Sequence, residues 1–284
     1  MNTDGIVLRD VTLRDGLQLT GKPLATDRKV ELVRALLGAG VPELEIGSLA
    51  RGDLVPPLAD TLDVVAALTP EELERCWVWV ATPRHVQKAM AAGARNVQYC
   101  FSVSDAHNNA NIGRDTAVSL DAMPEAVGYA TAAGGRIQLC LATAFTCPFE
   151  GPVDPQRVLD IVADPRTDGS CDVVVCDTLG QANPAEVGAL TGRVAAVAGG
   201  RRVAFHGHDT WGQGVANALA AVQNGATVLD GALGGLGGCP FAPGASGNTA
   251  SEDLLAELGE PMRSATARGV RSNARAFPWT AGPR

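Results

Sequence analysis

The chain has 284 residues, 46% of them hydrophobic, with a formal net charge of −8 and a pI near 5.0. One domain with a sizeable core fits that length, and with no Lys/Arg run ahead of the C-terminal tail, nucleic acid is disfavoured as a partner. No apolar run approaches the roughly 20 residues that span a bilayer, so membrane insertion is disfavoured too. The start, M-N-T-D-G, carries no basic, apolar leader. The seven cysteines (Cys76, Cys100, Cys140, Cys147, Cys171, Cys176 and Cys239) are odd in number and contain no C-x-x-C pair. That usage points to a reducing compartment, and a cytoplasmic location is expected.

In chain order, short β-rich runs alternate with amphipathic stretches. Strands are predicted near Ile6–Leu8, Glu43–Ile46, Trp77–Ala81, Val97–Val103, Ile137–Ala142, Asp172–Cys176, Val203–His206 and Val228–Ala232. Helices are predicted near Asp27–Leu37, Ala59–Leu68, Pro83–Ala92, Asp115–Ala132, Pro155–Val162, Pro184–Val197, Gln213–Asn224 and Ser251–Leu258. Asn183-Pro184 and Asp154-Pro155 have the chemistry of helix starts. The alternation predicts an α/β fold with a parallel sheet and outer helices. A doubly wound open sheet shows the same alternation, but the count of eight strands favours a closed (β/α)8 barrel. Residues 1–260 form the expected catalytic domain, and 261–284 are an Arg-, Gly- and Pro-rich tail.

The residues able to do chemistry fall at predicted strand ends, where a barrel places its site. His206 and His208 are two apart on a strand and present both imidazoles to one side, the arrangement that grips a metal. Arg14 and Asp15 follow the first strand and would share that face, although a neighbouring Arg-Asp pair also reads as an ion pair. Glu45 and Asp177 end two further strands, as site acids or as acceptors for backbone amides. Asn248 lies in S-G-N, a turn that commonly uses Asn for its backbone geometry. Cys239 lies in G-G-L-G-G-C-P-F, whose glycines allow a mobile loop and close approach to a ligand. That loop lacks G-x-G-x-x-G and a Gly-Lys-Ser/Thr ending, so a nucleotide-binding reading is rejected. Hard oxygen donors mixed with imidazole suit Mg²⁺, Mn²⁺ or another divalent first-row ion and leave the choice between Mg²⁺ and Mn²⁺ open. His107 is placed near a barrel loop with no motif to assign it.

H-G-H-D-T-W-G-Q-G from His206, G-L-G-G-C-P-F-A-P-G-A-S-G-N to Asn248, L-R-D-G-L-Q at Leu13–Gln18, E-L-E-I-G-S at Glu43–Ser48, V-P-P-L-A-D at Val55–Asp60, T-C-P-F-E-G at Thr146–Gly151 and C-D-T-L-G at Cys176–Gly180 are all present. Together they resemble the 3-hydroxy-3-methylglutaryl-CoA lyase family of metal-dependent barrel lyases and synthases. The resemblance implies a TIM barrel with Asp15, His206, His208 and Asn248 as ligands to Mg²⁺ or Mn²⁺. It implies catalytic roles for Arg14, Cys239, Asp177 and Glu45, and places Gln18 and Ser48 at the substrate. The implied reaction cleaves a 3-hydroxy-3-methylglutaryl-CoA-like thioester to acetyl-CoA and acetoacetate. The implied partners are an acyl-CoA or hydroxy acid substrate and a second copy of the chain in a homodimer. Citramalyl-CoA, another hydroxyacyl thioester or a specialised hydroxy acid is the alternative substrate, and a catalytically inactive scaffold is the alternative of another class. Synthase chemistry is disfavoured because the Cys239 loop matches the lyase branch. Leu19, Thr20 and Gly21 stand where the family tends to have an Asn-Glu-Lys-like run, and Asp53 where a lysine is common, which removes basic character near the expected entrance.

Overall fold

A computed structural model describes residues 5–50, 52–238 and 246–258. The strands are β1 Val7–Asp10, β2 Glu43–Ser48, β3 Cys76–Val80, β4 Asn96–Ser102, β5 Arg136–Ala142, β6 Thr146–Cys147, β7 Gly151–Pro152, β8 Asp172–Asp177, β9 Arg202–Gly207 and β10 Ala226–Gly231. β6 and β7 make a small antiparallel hairpin, and the other eight close into a parallel barrel in the order β1-β10-β9-β8-β5-β4-β3-β2. Closure excludes the open sheet, and each of the eight expected strands is present. The boundary at residue 260 lies beyond the described residues, as does the 261–284 tail.

Alternation along each strand builds two cores. One set of side chains, among them Leu8, Ile46, Val80, Val97, Leu139, Val175, Phe205 and Leu229, packs with helix residues such as Leu32, Leu36, Val86 and Leu190. Burying each such aliphatic side chain contributes about 1.5–3 kcal/mol. The other set points into the barrel and is smaller: Cys100, Cys140, Ala142, Val174, Cys176, Ala204 and Val228 beside Trp79. Small interior residues leave room at the C-terminal ends of the strands.

The helix starts at Pro155 and Pro184 are confirmed. Asp154 accepts from the Gln156 amide, and Asn183 forms a reciprocal capping box with Glu186. Between 115 and 132 the expected single helix is two, Thr116–Asp121 and Met123–Ala132. Pro124 has no N–H to donate and its ring obstructs the preceding turn, which accounts for the break at Ala122. In the 59–68 segment only Thr61–Ala66 is α-helical. The sequence reading also missed a helix at Asp105–Ile112, capped by Ser104 and closed at Gly113, whose φ is +74°. That omission concerns the site, because the helix carries His107.

β1 is tied to the helix Ser251–Leu258, the last among the described residues, through a buried carboxylate: Asp10 accepts from the Thr12 amide at 3.0 Å and from Ser251 Oγ at 2.6 Å. Burial pushes Asp10 up to about 6. Because the folded-state pKa lies above the unfolded value, the folded chain keeps a proton between pH 4 and 6 that the unfolded chain has lost, so stability falls as pH rises through that window. The effect is of order 3 kcal/mol at most. Asp10→Asn should therefore gain stability relative to wild type between pH 4 and 6, read from chemical denaturation at each pH; a difference that does not change with pH would show that Asp10 titrates normally.

Candidate active site

β1 runs into a single π turn, Thr12–Gly16, a helical irregularity often found at functional sites. The turn is anchored where the Thr12 hydroxyl accepts from the Leu233 amide at 2.8 Å. It places Arg14 and Asp15, both buried, over the C-terminal mouth of the barrel. Two strands along the barrel wall from β1, the end of β9 supplies His206, with His208 just beyond it, and their rings lie 5.3 Å apart. A backbone bridge between His208 and Asn248 brings the distant S-G-N segment to the same point.

These side chains converge. His208 Nε2 lies 3.6 Å from Asp15 Oδ1, and Asn248 Nδ2 donates to the same oxygen at 2.8 Å. One ligand atom each from Asp15, His206 and His208 lies within 4.8 Å of the others. Asn248 Oδ1 is buried without a hydrogen-bond partner, so it remains available as an oxygen donor. Burial pushes His208 down to about 4, so its imidazole is neutral and able to coordinate. Burial alone would raise Asp15, but Arg14 and the two histidines hold it below the usual carboxylate range. Two imidazoles, a carboxylate and an amide oxygen fit a hard divalent ion with positions to spare.

Glycine is required beside this cluster. Gly237 has φ +124°, and a Cβ there would lie 2.3 Å from Asn248 Nδ2 and 2.5 Å from Asp15 Oδ1. The next residue, Gly238, accepts from Gln18 Nε2 at 2.6 Å and donates to Asp15 Oδ1 at 3.4 Å. The chain leading to Cys239 is therefore pinned at Asp15, while Cys239 itself lies outside the described residues. Gln18 also donates to Asp15 Oδ2 at 3.0 Å.

Arg14 makes a 2.5 Å ion pair with Asp15 Oδ2 and a 2.8 Å pair with Glu45 Oε2, and its guanidinium carbon lies 6.0 Å from the Trp79 ring. Burial raises the Glu45 carboxyl, against the pull of Arg14 and Arg9. Ser48 Oγ accepts from the Ala50 amide at 2.9 Å. Asp177 accepts from the amides of Gln181 and Ala182 at 3.2 and 3.0 Å, so its carboxylate supports the loop after β8. Its neighbours Cys176 and Thr178 line the cavity.

That cavity, of about 120 Å³, is bounded by Arg14, Asp15, Gln18, Ser48, His206 and His208. His107, which sequence left unassigned, also lines it. Its Nδ1 lies 2.6 Å from Ser102 Oγ, and burial lowers its imidazole to about 4. Below the cavity a buried polar chain went unread in the sequence: Gln98 donates to Glu45 at 2.8 Å, Gln138 to Gln98 at 2.5 Å, Arg9 to Gln138 at 2.7 Å and to Asp230 at 2.8 Å. His206 Nδ1 lies 3.1 Å from Asp230 Oδ2. Burial would raise Asp230, but Arg9 and His206 hold it low. The repeated Q-x-C in β4 and β5, with Gln98 opposite Gln138 and Cys100 opposite Cys140, was the available signal.

Compared with known families, residues 6–267 match the HMGL-like family model. The chain belongs to the HMGL-like family. It is 38% identical over 262 residues to the (R)-citramalyl-CoA lyase of Chloroflexus aurantiacus, covering 89% of this chain and 83% of that protein. It is 34% identical to the hydroxymethylglutaryl-CoA lyase YngG of Bacillus subtilis, covering 88% and 84%. A solved HMG-CoA lyase from Acinetobacter baumannii, in complex with coenzyme A and 3-methylmalate, superposes with a TM-score of 0.89 at 32% identity, covering 97% of this chain and 91% of that one. As an HMGL-like protein the chain is a carbon–carbon lyase of the family that acts on CoA thioesters. Among the described residues no helix is long and apolar enough to cross a membrane.

Proposed function

We propose that this HMGL-like protein cleaves a 3-hydroxy-3-methylglutaryl-CoA-like thioester to acetyl-CoA and acetoacetate. The observation that carries the reading is the placement of Arg14 in one cavity with Asp15, His206 and His208, with Asn248 hydrogen-bonded to Asp15 beside them. Cleavage begins when a nearby acceptor takes the proton of the tertiary alcohol; the alkoxide collapses to a ketone, and the electron pair of the broken C–C bond passes to the thioester as an enolate. Both charges need stabilisation. Asp15, His206, His208 and Asn248 would hold a divalent ion, Mg²⁺ or Mn²⁺, which would supply acidification of the substrate hydroxyl.

Arg14 faces the thioester oxygen and donates to it as negative charge develops, while Glu45 and Asp15 fix the guanidinium. Gln18 and Ser48, on the cavity wall, contact the substrate. Asp177 holds the loop that carries Thr178, and Glu45 acts through Arg14, which it pairs with at 2.8 Å. Cys239 returns a proton to the enolate carbon. The acyl-CoA substrate is supported by the coenzyme A bound to the Acinetobacter lyase, and a homodimer is the assembly proposed.

A second reading is favoured by the 38% identity to the (R)-citramalyl-CoA lyase. Citramalyl-CoA differs by one methylene, with its carboxylate directly on the hydroxyl-bearing carbon, and a single methylene discriminates by only about 1–3 kcal/mol. The test is cleavage of each thioester with Mg²⁺ or Mn²⁺, following acetoacetate or pyruvate, with chelator and Cys239→Ala controls. Acetoacetate release lost in both controls supports the first reading; faster pyruvate release replaces it with the second; turnover of neither by folded, metal-loaded protein refutes both.

A further inference from the structure

Interior positions of a barrel are ordinarily filled by branched apolar side chains. Here five polar ones occupy them and are almost wholly buried: Arg9, Glu45, Gln98, Gln138 and Asp230. They form one continuous chain from Arg14 through Glu45, Gln98, Gln138 and Arg9 to Asp230, and so to His206. Its two ends are the two working halves of the cavity.

We infer that Asp230, clamped by Arg9, is a positioning residue for His206 and that the buried chain holds His206 and Arg14 in a common register. The inference rests on the proposed ligand set. An imidazole that coordinates through Nε2 must carry its proton on Nδ1, and a carboxylate acceptor at Nδ1 selects that tautomer and strengthens the donor nitrogen. Asp230 Oδ2 is in that position, 3.1 Å from His206 Nδ1. Its other oxygen is taken by Arg9 Nε at 2.8 Å, so the carboxylate cannot rotate away. Arg9 is fully buried and also reaches Gln138, which joins the clamp to the Glu45 and Arg14 side. Asp230 therefore acts through His206, without touching substrate.

The test reads metal binding and tautomer. Free Mn²⁺, measured by electron paramagnetic resonance, should show affinity falling 10- to 100-fold in Asp230→Asn relative to wild type. Because that variant also disturbs Arg9, a second measurement uses the unaltered protein loaded with Mg²⁺. The chain has four histidines, so nitrogen-15 imidazole spectra, assigned through His206→Gln, resolve His206, and the proton is expected on Nδ1. Unchanged Mn²⁺ affinity in folded Asp230→Asn, or a His206 proton on Nε2, overturns the inference. Wild-type protein that binds no Mn²⁺ overturns the ligand set and this inference with it, whereas Mn²⁺ binding that ignores Asp230 removes only the inference.

Discussion

Arg14→Gln is expected to lower kcat by roughly 100- to 1,000-fold with little change in metal affinity, the scale on which a single donor to a developing oxyanion acts. The guanidinium is fixed before substrate arrives by Asp15 at 2.5 Å and Glu45 at 2.8 Å, so it does not have to reorganise as charge moves onto the thioester oxygen. Glutamine keeps a donor but neither the charge nor the two-sided clamp. The same change strands Glu45, which is 1% exposed, without its cation. Breaking a buried pair in this way costs about 3–5 kcal/mol, so Tm should fall together with kcat. Steady-state kinetics at saturating metal separate the two effects, since a purely structural Arg14 would reduce the active fraction and leave the kcat of the folded enzyme near wild type.

The second large effect belongs to Asp15. Its Oδ1 is the common centre for His208 and Asn248, and Oδ2 takes Arg14 and Gln18. Replacing it with alanine removes the one anionic donor of the proposed set. A residue that supports a ligand from behind costs 10- to 100-fold in affinity, so loss of the carboxylate itself should exceed about 100-fold. Isothermal titration with Mn²⁺ checks this, and wild type treated with a chelator should match Asp15→Ala in activity. Near-wild-type Mn²⁺ affinity in folded Asp15→Ala would mean that the ion sits elsewhere.

Much of the site was legible because it follows local periodicity. His206 and His208 share a side since a strand repeats every two residues, and Arg14 and Asp15 reach the same mouth because β1 runs parallel to β9. The opposite case is His107, whose helix carries the weak pattern D-A-H-N-N-A-N-I and whose place in the cavity wall depends on how that helix packs over β4. Asp177 was visible as a strand-end acid, but only the fold shows its carboxylate turned to the amides of Gln181 and Ala182.

By itself the sequence determined the eight strands, their alternation with helices, the capped starts at Asp154 and Asn183, and the motifs that place the chain in its family. Those properties depend on neighbours a few residues away, where side-chain period and capping chemistry act. Only the tertiary structure decided closure of the barrel, the interior polar chain and the partners of each site residue. Arg9 meets Asp230 across 221 positions of chain and Asn248 meets Asp15 across 233. Such contacts follow from strand register and barrel closure, which set the side of the sheet each residue faces and the strand it meets there.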